Sequence, residues 1–384
     1  MAVEIFTVHT DLADAWVAWD GDETKTYAYG GCRLVGWRTR YEDAIGMLAS
    51  LMRNESGYKN TMINLAVEAS ALDGIADELP PGFLDARIGG GRCIIRPASQ
   101  EVAYVLSDPQ HPDFESTILA VFEPLGEMLN EQDGRVKLTP DFGKYAGVAD
   151  MLHQFTPHVL GVHCDAGGCG GKASYSATGV TAAYETLTAE GLINSSDVTL
   201  IGSAGAMGTT VLADLLDRGD REVTICDLKY DDGSEEPPAD LRRLGSVPGQ
   251  FPDEALSRRN AMIATTWGGE LERSNHELIG PGAVVLLAHN LAIPTGVDGL
   301  ELIRQVSRPD VLVIPGQVLT LGGALTSRLE WFSRQAGIET FDKPQAHEVV
   351  RRVVGHWVRR FTARAEATGN PYEAMLDTCE RLAA

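Results

Sequence analysis

Two sets of residues in this chain could do chemistry. In the first, an apolar run at 198–201 enters Gly202-Ser203-Ala204-Gly205-Ala206-Met207-Gly208. Val211, Leu212, Leu215 and Leu216 then mark one helical face, and a second apolar run, 223–226, stops at Asp227. That order suits a dinucleotide. Glycines let the backbone approach a pyrophosphate, and a helix N-terminus stabilises its charge. A carboxylate about 20 residues on accepts the adenosine ribose hydroxyls. Gly202, Ser203, Gly205, Ala206, Met207 and Gly208 are candidate cofactor contacts. Asp227 favours NAD over NADP, because a 2′-phosphate would meet a like charge there, while the nearby Lys229 argues the other way.

The second set is scattered through the first half. Gly30-Gly31-Cys32-Arg33 closes a strand-like stretch, 27–35. Tyr58-Lys59-Asn60 follows the helical pattern of 40–52. Gly89-Gly90-Gly91-Arg92 precedes the strand-like 93–95, and Thr139-Pro140-Asp141-Phe142-Gly143 follows later. Taken singly, each is bland: a surface lysine, a helix N-cap, glycine turns. In this order ahead of a nucleotide fold, they resemble the amino-acid dehydrogenases that act on glutamate, leucine, phenylalanine and valine. The resemblance runs from about residue 27 to 331, and its late glycine pair is Gly322-Gly323.

That resemblance implies roles. Gly30, Gly31 and Lys59 match substrate-binding positions, with Lys59 pairing the α-carboxylate. Asp141 matches the aspartate that moves protons at the substrate amino group, a task that needs partial desolvation of its carboxyl. Ser176, Thr178 and Asn290 match residues near the nicotinamide. Tyr29, Thr139, Ala324 and Ser327 match positions that select the substrate side chain. A glutamate-specific relative would carry a lysine at position 29, so glutamate is not the expected substrate. The implied reaction is hydride transfer at a Cα–N bond in a cleft between two domains, in at least a homodimer.

Two departures stand out. Ser203 occupies the place of a glycine in the cofactor turn. Arg92 stands where relatives carry a catalytic lysine. An arginine stays protonated and cannot shuttle a proton to activate water as lysine does, though it can hold a carboxylate as a fork. Three readings therefore stay open: an amino-acid dehydrogenase, a divergent imine reductase or redox-neutral lyase or cyclodeaminase, and a non-catalytic NAD-binding regulator. Lys172 reads as a solvated loop lysine, with replacement of the missing lysine as its alternative. His158, His163, Cys164 and Cys169 are capable ligands, but their spacing fits no standard zinc pattern, and no metal is expected.

The expected fold is α/β, with an N-terminal α/β substrate domain and a doubly wound Rossmann NAD-binding domain. Strands are expected at 198–201, 223–227, 261–265, 283–287 and 311–314, alternating with helices. The boundaries are expected at 1–150 plus 340–384 for the first domain and 155–335 for the second. The glycine-rich 161–172 would be a hinge. Val350, Val354, Trp357 and Phe361 would cover the first domain, and Pro124 would kink or end a helix over 118–129. A net charge of −22 over 384 residues argues against nucleic-acid or anionic-membrane partners. Six scattered cysteines and an N-terminus without a basic start or an apolar core point to the cytoplasm, with a small-molecule amino acid or imine as partner.

Overall fold

Apolar runs bounded by glycine and polar turns build two sheets in the computed structural model, which describes residues 3–140, 147–219, 222–266, 271, 275–289 and 297–380. The chain divides into two compact units, Met1–Lys172 with Ala324–Lys343, and Ala173–Gly323 with Pro344–Ala384.

The first unit holds a mixed sheet of order β1-β2-β4-β3-β5, formed by Val3–His9, Ala13–Asp20, Tyr27–Leu34, Ile88–Pro97 and Val136–Pro140. β2 lies antiparallel to β1 and β4, whereas β3 runs parallel to β4 and β5. β2 is buried along nearly its whole length, so it lacks the polar alternation by which a half-exposed strand is recognised. The helix Phe114–Glu131 covers part of this sheet with Ile118, Val121, Phe122, Leu125 and Leu129. It passes through Pro124 without ending there. The helix Tyr41–Leu51 continues as a π-helical turn, Met52–Gly57, into the helix Tyr58–Glu68.

The second unit holds a fully parallel sheet of order β11-β10-β9-β6-β7-β8. Its strands are Asp197–Ile201 (β6), Glu222–Cys226 (β7), Arg242–Arg243 (β8), Ala261–Ala264 (β9), Val284–Leu287 (β10) and Leu312–Ile314 (β11). Counted from β6, the order is 3-2-1-4-5-6, the doubly wound arrangement of dinucleotide-binding sheets. Five of these strands match the apolar runs. β8 is two exposed arginines and carries no apolar signal.

The C-terminal segment differs from expectation. Val350, Val354, Trp357 and Phe361 are buried, but 344–384 groups with the second unit, and 324–343 with the first. The helix Lys343–Thr368 lies against Ala173–Ala189: Thr178 Oγ1 meets His347 Nδ1 at 2.7 Å, and a Cβ at Gly179 would touch Val354. The apolar stripe specified burial, and the small residues of 173–189 supplied the partner. Nor does the first unit stop at 150, because 161–172 is tied into it. Among the described residues, no helix is long and apolar enough to cross a membrane.

Candidate active site

In the first unit a helix turn presses on β3 and β4 at Gly30 and Gly90. A Cβ at Gly90 would lie 2.7 Å from Gly57 N, and one at Gly30 would lie 2.5 Å from Ser56 Oγ. The turn that comes so close is π-helical, and it buries Glu55, Ser56 and Gly57. Lys59 follows one residue into the next helix and is 7% exposed. Asn60 anchors that helix by donating from Nδ2 to Gly89 O at 2.7 Å and Tyr29 O at 3.3 Å. Burial pushes the Lys59 ammonium down to about 8; Glu55 opposes this, while the charges of Arg92 and Lys172 lower it further.

Arg92 is equally buried. Its Nη1 donates to Glu55 Oε1 at 3.1 Å, and its guanidinium lies over Gly31, where a Cβ would come within 2.8 Å of Nη1. Thr139 Oγ1 donates to Gly30 O at 3.3 Å, and the Tyr29 hydroxyl donates to Ala324 O at 2.5 Å.

The glycine-rich 161–172, expected as a hinge, is pinned. Glu330, fully buried on the helix Leu321–Gln335, accepts from the backbone N–H of Gly161 (2.7 Å), Val162 (3.2 Å) and Cys169 (3.2 Å), and pairs with Arg334. Lys172 ends this loop. Its Nζ donates to Ser327 Oγ at 2.7 Å, so it is not a solvated surface lysine. His158 lies beside Trp331, and His163 Nδ1 accepts from Asp165 N, while Cys169 is buried under Glu330. Among the described residues, no group of three His, Cys, Asp or Glu side chains could hold a metal ion.

In the second unit, Gly202 takes a left-handed φ of 82°, and Gly208 lies so close beneath it that a Cβ would sit 2.0 Å from Gly202 O. The helix Ala206–Asp217 starts directly after Gly205, which presents its first N–H groups on the same turn. Ser203 is fully buried, with its hydroxyl turned inward to Tyr230 and Cys226 O, so the missing glycine leaves the outer side of the turn clear. Asp227 Oδ2 accepts from Ala204 N at 2.8 Å and Oδ1 from Lys229 N at 3.0 Å, while Lys229 Nζ donates to Ala204 O.

No family model and no curated protein matches the sequence. Solved structures do match along nearly the whole chain. L-tryptophan dehydrogenase from Nostoc punctiforme is 15% identical, with 98% of this chain and 94% of that one covered and a TM-score of 0.67. Hetero-hexameric glutamate dehydrogenase from Thermus thermophilus, in its leucine-bound form, is 18% identical over 99% and 87%, with a TM-score of 0.65. Glutamate dehydrogenase from Peptoniphilus asaccharolyticus is 13% identical over 98% and 88%, with a TM-score of 0.63.

The fold is that of the amino-acid dehydrogenases.

Within this dehydrogenase fold, Gly30, Gly31, Lys59 and Arg92 gather at the π-helical turn, and Tyr29, Ala324 and Ser327 sit where the helix Leu321–Gln335 meets the sheet and Lys172. Asp141 and Asn290 lie outside the described residues. Ser176 and Thr178 are buried on Ala173–Ala189; Thr178 is held by His347, whose ring also packs on Tyr175 with centroids 4.8 Å apart. Sequence reasoning missed Glu55, Glu330 and His347. For Glu55 a signal existed: an acid four residues before Lys59 shares its helix face.

Proposed function

We propose that the protein is an NAD-dependent oxidoreductase acting at the Cα–N bond of an amino acid. An amino acid, NAD⁺ and water give a 2-oxo acid, ammonium, NADH and a proton. The single observation that carries this reading is the pairing of a buried lysine–arginine–glutamate cluster in one unit with a doubly wound sheet and its glycine turn in the other. The turn suits a dinucleotide, because bare Gly208 lets the helix N-terminus pack directly beneath Gly202 O and Gly205 leaves its outer side with no contact closer than 3.3 Å. When bound, the nicotinamide accepts or gives the hydride.

The protein's own groups bind and orient. Lys59 holds the substrate α-carboxylate with a desolvated ammonium, and its burial strengthens that attraction. Arg92, fixed by Glu55, supplies a permanent positive charge beside it. Asp141 is proposed as the group that takes and returns the proton at the amino nitrogen. Asp227, already oriented across the turn, is proposed to take the adenosine ribose hydroxyls and to favour NAD. Assembly through the first unit into at least a homodimer in the cytoplasm completes this reading.

The Arg92–Glu55 pair also favours a second reading. A guanidinium locked in a buried ion pair stays protonated and cannot take a proton from water, whereas reducing a preformed imine needs no activated water, only the hydride and one proton at nitrogen. Following nicotinamide absorbance with the standard amino acids and NAD or NADP, then with 2-oxo acids, ammonium and NADH, and with cyclic imines and NADH, tests both. Oxidative turnover supports the first reading, and turnover of cyclic imines alone supports the second. Absence of nicotinamide-coupled turnover in either direction, with no NADH binding by fluorescence, would overturn both.

A further inference from the structure

Asp227 and Lys229 put opposite charges at one end of the glycine turn of the second unit. Asp227 caps the short helix Leu228–Asp231 and accepts from Ala204 N, and Lys229 Nζ reaches the same residue, donating to Ala204 O at 3.0 Å. An ammonium in that place, left to itself, would attract the 2′-phosphate that Asp227 repels.

The chain that follows folds back onto Lys229. Glu235 N donates to Lys229 O at 3.1 Å, Ser234 Oγ donates to the same carbonyl at 3.4 Å, and Ser234 N donates to Asp232 Oδ1 at 2.9 Å. These bonds set the Glu235 carboxylate beside the lysine, whose Nζ donates to Oε1 at 3.4 Å. Asp231 is engaged elsewhere, accepting from Arg243 Nη2 and from Ser246 N, each at 2.7 Å. As a contribution to stability the Lys229–Glu235 pair counts for little, because its side chains are 45% and 52% exposed. Its effect on a ligand is larger in kind. Glu235 neutralises the cation beside Asp227 and adds a like charge against a 2′-phosphate.

We propose that Glu235 is a specificity-determining residue that withholds Lys229 from a 2′-phosphate, so that the turn takes NAD in preference to NADP. The inference rests on the dinucleotide reading above. Asp227 repels the phosphate directly, and Glu235 disarms the lysine that would otherwise hold it.

Fluorescence titration of the full chain with NADH and with NADPH tests this without turnover, since the two ligands differ only at the 2′ position. Glu235→Gln should raise affinity for NADPH relative to NADH by about fivefold at low ionic strength, and added salt should shrink the gain. Lys229→Met alone should move the ratio less, because its ammonium is already neutralised. With both changes most of the gain should disappear, since the phosphate then meets no ammonium. A ratio unmoved by Glu235→Gln, or a gain that persists whole without Lys229, would overturn the assignment. The two readings fail separately. Binding of both dinucleotides at a ratio indifferent to Glu235 keeps the dinucleotide and rejects the gate. Binding of neither, by any of these variants or the native chain, rejects both.

Discussion

Among the described residues of the first unit two lysines are buried, and their surroundings could hardly differ more. Lys59 sits among Glu55, Arg92 and Lys172. Lys137, on β5, sits between aromatic faces, with its Nζ 4.0 Å from the ring centres of both Tyr27 and Trp331 and one hydrogen bond, 2.6 Å long, to Gly134 O. Burial lowers both, Lys59 to about 8 and Lys137 to about 7, and only Asp133 opposes it at Lys137. The difference lies in what a ligand could change. An anion reaching Lys59 meets charges arranged to receive it. Lys137 is enclosed by π faces that already use its stem and its positive end. A perturbed lysine marks a ligand site only when its neighbours are charges and not rings.

The largest effect that tests this contrast is Lys59→Met. It should lower kcat/KM by roughly 10²–10³, in line with about 2–5 kcal/mol for removing one partner of a desolvated charge contact. The melting temperature should hold or rise, since a buried ammonium disappears. Unchanged kinetics would make Lys59 a packing residue like Lys137.

Lys137→Met comes next and should do the reverse. The native pKa lies below the unfolded value near 10.5, so protonation disfavours the folded state. That penalty is complete below about pH 7 and is relieved as pH rises from 7 towards 10.5. The variant should therefore be more stable at pH 6, by up to a few kcal/mol (about 1.36 kcal/mol per unit), less what the two rings contribute. Its advantage should shrink towards pH 10, with activity nearly unchanged. Denaturant melts at both pH values read this directly, and an advantage that grew with pH would contradict the assignment.

The smallest effect is a shift in pH profile. Glu55 holds Lys59 up, so Glu55→Gln should move the alkaline rise in substrate KM from near pH 8 to lower pH. A shift the other way would mean that Glu55 does not act on Lys59.

Much of the second unit was legible because parallel strands buried on both faces read as continuous apolar runs, and glycines mark the turn between them. Lys59, in Tyr58-Lys59-Asn60, and Arg92, after Gly89-Gly90-Gly91, stood out only through the family resemblance. Glu55 carried only its spacing from Lys59 as a signal and Glu330 carried none, since an acid inside a helical pattern reads as a solvated face until the fold shows what it touches. Lys137 looked like any strand lysine for the same reason. The helix Lys343–Thr368 announced an apolar stripe, but a stripe carries no address. Its placement depended on Gly179 and Thr178, which are too small to signal anything alone.

The π-helical turn Met52–Gly57 fixes a length as well as a shape. A π turn holds one more residue than an α turn. Losing that residue would relax the turn to ordinary α-helix, drawing its backbone back from the sheet and moving Glu55, which lies inside it, away from Arg92. The gap it left would open above Gly90, whose bareness serves the present close approach, while Gly30 would still face Gly91 O on the neighbouring strand. Chain length through 52–57 and the absence of a side chain at 90 should thus be inherited together, so that a longer side chain at 90 is tolerated only with a change in the turn.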